Sequence, residues 1–149
     1  MNKLPLIVVA GPTASGKTSL AIDIAKAVGG EIVSADSMQI YRYMDIGTAK
    51  ATKDEREMCV HHLIDIIDPD CDFSVADYTK LAHEVIADII SRGKTPVMCG
   101  GTGLYIDSVV NDVEFGEMEN DYKLREELSQ IAKNEGGEKL IQILAEFDP

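Results

Sequence analysis

The octapeptide Gly11-Pro-Thr-Ala-Ser-Gly-Lys-Thr18 matches the pattern GxxxxGK[ST] at every fixed position. An apolar run, Leu4 to Ala10, leads into it, and from Lys17 onward the apolar residues Leu20, Ala21, Ile24, Ala25 and Val28 return at helical spacing. Strand, glycine loop and helix in that order make a P-loop. Its glycines let the backbone curl so that successive amides point inward at a phosphate. The helix N-terminus adds partial positive charge. Gly11, Pro12, Thr13, Ala14, Ser15 and Gly16 are therefore expected to cradle a phosphorylated ligand, with Lys17 as a point charge on its terminal phosphates and Thr18 helping to hold Mg²⁺.

The pattern continues as alternating strands and helices. Leu4–Ala10 reads as a central strand, continuously apolar as buried parallel strands are. Glu31–Ser34 is a short second strand ending at Ala35-Asp36, His62–Ile67 a third, and Thr95–Cys99 a fourth. Gly29-Gly30 stops the first helix, and Lys53–Met58 reads as a helical turn or two. Ser74 followed by Asp77 has the form of a capping box, opening a helix to about Ser91 that buries Tyr78, Leu81, Val85, Ile86 and Ile89. A helix from Leu104 follows the glycine loop Gly100–Gly103. This spacing predicts an α/β fold, a P-loop NTPase-like parallel sheet with helices on both faces. Residues 1–113 are read as the N-terminal part of that core. Residues 114–149, acidic and helical in pattern without a further strand, are read as the beginning of a helical appendage.

Composition excludes some classes. No apolar stretch is long enough to span a bilayer, and the N-terminal run leads straight into the glycine loop as a buried strand rather than a signal peptide. Three cysteines, Cys59, Cys71 and Cys99, show no metal-ligand spacing and read as free thiols of a cytoplasmic protein. The formal net charge of −12 conflicts with nucleic-acid binding, which normally needs a basic footprint. Either nucleic acid is not the partner, or the basic surface lies outside these residues.

Two further strand ends point toward the phosphate site. Asp36 follows the second strand, where ligands of open α/β sheets sit. It reads as a general base or Mg²⁺-associated carboxylate, or as a loop Asp capping a turn. Thr102, in the Gly100–Gly103 loop, offers a hydroxyl at the same edge, and the loop is otherwise a plain strand-to-helix turn. Asp45–Lys50 reads as a mobile substrate loop or a solvated one. His61 and His62 read as acid–base groups or as buried, capping histidines.

Five blocks in order carry a resemblance: Gly11–Thr18, Ser34-Ala-Asp-Ser-Met-Gln-Ile-Tyr41, Asp45-Ile-Gly-Thr-Ala-Lys50, His61-His-Leu-Ile-Asp65 and Gly100-Gly-Thr-Gly-Leu-Tyr105. Together they resemble the tRNA dimethylallyltransferases, or tRNA isopentenyltransferases, over about Leu4 to Pro149. The resemblance implies transfer of a dimethylallyl group from dimethylallyl diphosphate to the exocyclic amine of the adenosine beside the anticodon of tRNA. The P-loop, which elsewhere holds ATP, would then hold the leaving diphosphate. It implies catalytic roles for Lys17, Asp36 and Thr102, with Asp36 taking the proton from the adenine amine or orienting it. Asp36, Ser37, Met38, Gln39, Thr102 and Arg125 match tRNA-contacting positions. The expected partners are the anticodon stem-loop of tRNA and the prenyl donor, with no membrane, for a monomeric, cytoplasmic enzyme. Family members are about twice this length, so the chain is expected to be C-terminally truncated, and the −12 charge to be that of the acidic half. A P-loop kinase acting on a small molecule or nucleotide is the alternative. It has only Arg42, Arg56, Arg92 and Arg125 to work with and no Arg-rich lid segment. A non-catalytic nucleotide-binding module is a third reading.

Overall fold

The computed structural model describes residues 5–113, 115 and 121–148. The elements follow in the order β1 (Ile7–Ala10), α1 (Lys17–Val28), β2 (Glu31–Ser34), α2 (Lys53–Met58), β3 (His61–His62), α3 (Val75–Ser91), β4 (Pro96–Gly100), α4 (Gly103–Val110), α5 (Tyr122–Glu135) and α6 (Gly137–Leu144). Two compact units divide the chain, Met1–Glu114 and Phe115–Pro149.

All the strand pairings in the first unit are parallel, in the order β1-β4-β2-β3. Alternate residues of the sheet meet helices on opposite faces, as the period of two requires. Val9, Ile32, Val97 and Cys99 pack under α1 against Ala21, Ile22 and Ala25. Val33 and Met98 pack under α3 and α4 against Tyr78, Ile86, Tyr105 and Val109. Fully buried side chains such as Ile32, Ile89 and Met98 each contribute about 1.5–3 kcal/mol from removal of apolar surface from water. The Ser74–Asp77 capping box forms as expected and fixes the start of α3. Thr52 and Glu55 make a second one for α2.

Several sequence expectations are corrected. β1 is an edge strand among the described residues rather than a central one, pairing only with β4 and leaving Val8 exposed. Apolar continuity alone does not tell a strand flanked on both sides from one flanked on one. Leu4, the expected start of that strand, lies outside the described residues. The third strand is two residues long, not six. Leu63 and Asp65 take positive φ values of 60° and 56°, which end the extended run, and only Ile67 returns, to bridge Tyr41. The turn is held from outside: the Arg42 guanidinium donates to the carbonyls of Asp65 and Ile66. In α1 the buried stripe is Ala21, Ile22 and Ala25, whereas Leu20 and Val28 are exposed. Small residues face the sheet, which lets the helix approach β1 and β4 closely. In α3, Leu81 and Val85 are only partly buried, at the margin of the core.

The second unit consists of α5 and α6, capped at Asp121 and joined through Gly136. Glu114 and residues 116–120, in the acidic segment, lie outside the described residues.

Candidate functional site

Three strand ends build the site, all at the carboxyl edge of the sheet. The P-loop leaves β1 and enters α1 through Gly16, whose φ of 80° is left-handed and favours glycine. Ala14 also takes a positive φ, 62°. The loop is tied by its own carbonyl at Pro12, which accepts from Ser15 Oγ (2.8 Å) and Lys17 Nζ (3.0 Å). Helices α2, α3 and α5 each have a side-chain cap, but α1 and α4 have none and carry no acidic residue in the first turn. The amides opening α1 are thus left for an anion, in the place where the dipole favours one.

β4 ends in the second glycine loop, and the reason for its glycines is packing against protein. A Cβ on Gly100 would lie 2.0 Å from the Ala35 carbonyl oxygen, and one on Gly101 would lie 3.3 Å from the Gly11 carbonyl oxygen and 3.9 Å from Lys17 Nζ. The β2 and β4 tips are then stitched together. Ala35 N–H donates to Cys99 O (2.8 Å), and Thr102 N–H donates to Ala35 O (3.1 Å). Thr102 Oγ1 accepts from the Ser37 amide (3.0 Å) and donates to Ser37 Oγ (3.3 Å). Thr102 and Ser37, far apart in sequence, are one polar unit.

Asp36 sits half-buried between these residues. Its Oδ1 accepts from the Met38 amide at 3.0 Å, so it does cap its own turn. Oδ2 has no hydrogen-bond partner among the described residues, so the capping role leaves one carboxylate oxygen for other work. The buried Cys99 thiol, pushed up to about 11 chiefly by burial, feels both Lys17 and Asp36. Beneath the turn, Tyr78 Oη donates to Ser34 O (3.0 Å), and its ring stacks on Tyr105 with centroids 3.9 Å apart. Sequence reading places Tyr78 in the core by helical spacing, but nothing in that spacing shows that its hydroxyl supports the strand leading to Asp36.

Lys17, Thr18, Asp36, Ser37 and Thr102 therefore come together through the strand tips. Met38 is exposed beside them, whereas the Gln39 amide is committed to the carbonyls of Thr48 (3.3 Å) and Ala49 (3.2 Å). Arg125 is exposed on α5 and belongs to the second unit. His62 lies near the opposite end of β2, with Nε2 2.7 Å from Glu31 Oε2 in a cluster with Arg92 and Lys94. That is a structural tie. His61 bonds the Cys59 carbonyl through Nδ1 (2.8 Å), and burial lowers its pKa, which keeps it neutral. Its Nε2 is buried without a partner among the described residues, in a small cleft with Thr18, Ser34 and Gln39.

A metal held entirely by protein does not fit here. No cluster of three His, Cys, Asp or Glu with metal-binding geometry occurs among the described residues. The Thr18 hydroxyl alone suits a hard cation that keeps most of its ligands as water and substrate phosphate. Among the described residues, no helix is long and apolar enough to cross a membrane.

A P-loop at the edge of a parallel sheet, with a carboxylate turn on the strand tip just beyond the adjacent β4, defines an α/β protein of the P-loop NTPase-like class. The family model for IPP transferase matches residues 39–149. The tRNA dimethylallyltransferase of Exiguobacterium sp. is 56% identical over 149 residues, which is all of this chain and 48% of the relative. That of Thermoanaerobacter sp. (strain X514) is 49% identical over 146 residues, 98% of this chain and 46% of the relative. The crystal structure of a full-length tRNA isopentenylpyrophosphate transferase from Bacillus halodurans superposes with a TM-score of 0.75 at 45% identity, covering 99% of this chain and 48% of that one. A eukaryotic dimethylallyltransferase acting on tRNA superposes with a TM-score of 0.67 at 32% identity, covering 79% and 28%. The chain belongs to the IPP transferase family. It spans about half the length of the curated relatives it matches.

Proposed function

We propose that this chain is the donor-binding and base-activating part of an enzyme that moves a dimethylallyl group from dimethylallyl diphosphate to the exocyclic amine of the adenosine adjacent to the anticodon in tRNA. The observation that carries this is the locked pair of strand tips, which sets the Asp36 turn beside the Lys17 loop through Thr102 and Gly101. The names of relatives about half identical over the whole chain support the same chemistry.

In this mechanism the P-loop amides, the α1 N-terminus and Lys17 hold the diphosphate and stabilise the charge that develops on it as the carbon–oxygen bond breaks. A divalent cation, Mg²⁺, bound beside Thr18 would add Lewis-acid stabilisation of that leaving group. Asp36 accepts or orients the proton of the attacking amine through Oδ2 while Oδ1 stays on the Met38 amide. Ser37, Met38, Gln39 and Thr102 surround the target nucleotide, which must leave its stack to reach the donor. Arg125 contacts tRNA from the second unit, the beginning of a helical tRNA-binding insertion. The enzyme works as a cytoplasmic monomer.

A kinase fits less well, because Arg42, Arg56 and Arg92 close on Asp68, Asp65 and Glu31 rather than on a phosphate site. The test is incubation of the complete gene product with mass-tagged dimethylallyl diphosphate and anticodon stem-loop RNA. Tagged RNA is the expected product. Phosphate transfer from ATP to a small acceptor without prenylation would favour the kinase, and diphosphate binding without turnover a bare binding module.

A further inference from the structure

The Asp45–Lys50 loop is neither mobile in design nor merely solvated, because its last residue is the most deeply buried cation of the unit. The Lys50 side chain is 1% exposed, which is rare for lysine unless its charge is matched. Its three ammonium protons have three acceptors: Tyr41 O at 2.7 Å, Asp45 Oδ1 at 2.9 Å and Asp65 Oδ1 at 2.6 Å. Asp65 Oδ2 takes Arg56 Nη1 at 2.6 Å. One cation thus joins both ends of the loop to the segment after β3.

The same loop holds the end of the Asp36 turn. Thr48 O and Ala49 O accept from the Gln39 side-chain amide, and Gln39 O accepts from Asp65 N–H (3.2 Å). Gln39 is therefore gripped from both sides by residues whose places depend on Lys50. Apolar packing offers no substitute, since the loop's large apolar residue, Ile46, is 96% exposed. A buried ion cluster is a costly way to gain stability alone, because its desolvation roughly cancels its attraction. It does specify one geometry for a loop that has no hydrophobic anchor.

We infer that Lys50, acting with Asp65, is a positioning residue: it fixes the loop that holds Gln39 and so sets the Asp36–Gln39 turn for the acceptor nucleotide, without touching either substrate. The inference rests on the proposed function for its catalytic consequence, but its structural half is separable. The experiment is Lys50→Met in the complete gene product, read by amide hydrogen exchange and by steady-state kinetics. Exchange should rise at residues 37–40 and 46–50 while residues 11–18 keep their protection. The kcat/KM for stem-loop RNA should fall about 10–100-fold, the scale expected when a reacting group is displaced by about an ångström. The KM for the prenyl donor should stay within about twofold, because the P-loop's hydrogen bonds run within the loop and to β4 rather than to the Lys50 loop.

Unchanged exchange in the turn would overturn the inference, as would raised exchange with unaltered kinetics, or an equal loss on the donor and RNA sides. Should Lys50→Met fail to accumulate as folded protein, Asp65→Asn keeps the shape of the site and must show the same split. No prenyl transfer by the unaltered protein would sink the proposed function, and the exchange measurement would still decide whether Lys50 holds the turn.

Discussion

Gly100→Ala tests the strand-tip architecture directly. Gly100 is not among the residues with positive φ, so its backbone conformation is open to alanine and only the contact is at issue. The added methyl would sit 2.0 Å from Ala35 O and 2.3 Å from Ala35 C, where ordinary van der Waals contact begins at 3.4 Å. Both obstacles are backbone, so no side chain can swing aside, and the two tips must part by more than an ångström. That movement stretches Ala35 N–H to Cys99 O and Thr102 N–H to Ala35 O on either side of the methyl. Buried donors and acceptors left unpaired cost about 1–3 kcal/mol each, and overpacking a fitted core adds about 1–3 kcal/mol. Two such bonds and the overpacking together come to about 3–9 kcal/mol, against a usual domain stability of about 5–15 kcal/mol.

The chain has no tryptophan, so urea unfolding followed by far-ultraviolet circular dichroism is the suitable assay. Gly103→Ala is the control. A Cβ there meets nothing within 4 Å, and the position opens α4, so its effect should be within about 0.5 kcal/mol. If Gly100→Ala costs less than about 1 kcal/mol, the tips are not as tightly apposed as described, and the placement of Asp36 loses its support.

Lys17→Ala should raise the donor KM and lower turnover together, by about 10–100-fold for a charged hydrogen bond, as measured by donor titration in the transfer assay. Asp36→Ala should lower kcat by about 10²–10⁴-fold with diphosphate affinity, measured by calorimetry, nearly unchanged. Intact turnover would remove Asp36 from the mechanism. Glu31→Gln should destabilise the first unit by about 3–5 kcal/mol, since Arg92, Lys94 and His62 would lose their shared partner. Arg92 above all, with Lys94 and His62, holds the Glu31 carboxyl far below its unfolded-state pKa of about 4.5. Its contribution is therefore complete above that value and drains away as the pH falls below it. Denaturant midpoints between pH 6 and pH 3 should show this slope in the unaltered protein and a weaker one in Glu31→Gln.

Local signals in the sequence carried much of this. GxxxxGKT between an apolar run and a helical pattern specifies the cradle, and Ser74 with Asp77 specifies the start of α3, because each is settled within a few residues. Asp36 and Thr102 were legible as strand-end residues but not as neighbours; the Thr102–Ser37 bond depends on β4 crossing to lie between β1 and β2. The Lys50–Asp65–Arg56 cluster was invisible for a related reason. A lysine closing a Gly- and Thr-containing loop looks solvated until the fold supplies carboxylates from elsewhere in the chain. The apolar run His62–Ile67 does not form a six-residue strand because the Arg42 guanidinium bends it from twenty-odd residues away, a contact that no local pattern carries.

On the proposed function, charge allocation accounts for an acidic chain taking part in a reaction between two polyanions. Arg42, Lys50, Arg56, Arg92 and Lys94 all close on carboxylates of their own unit and define its shape. On the proposed function, the attraction for diphosphate then comes from groups that formal charge does not count, the loop amides and the α1 N-terminus, together with the full charge of Lys17. Such a site acts at contact distance and suits a small, multiply charged ligand. It does little for an RNA backbone, whose binding depends on many basic contacts spread over its length. On the proposed function, this part of the molecule holds the donor and orients a single base, while most of the affinity for tRNA must come from basic surface that these 149 residues do not supply.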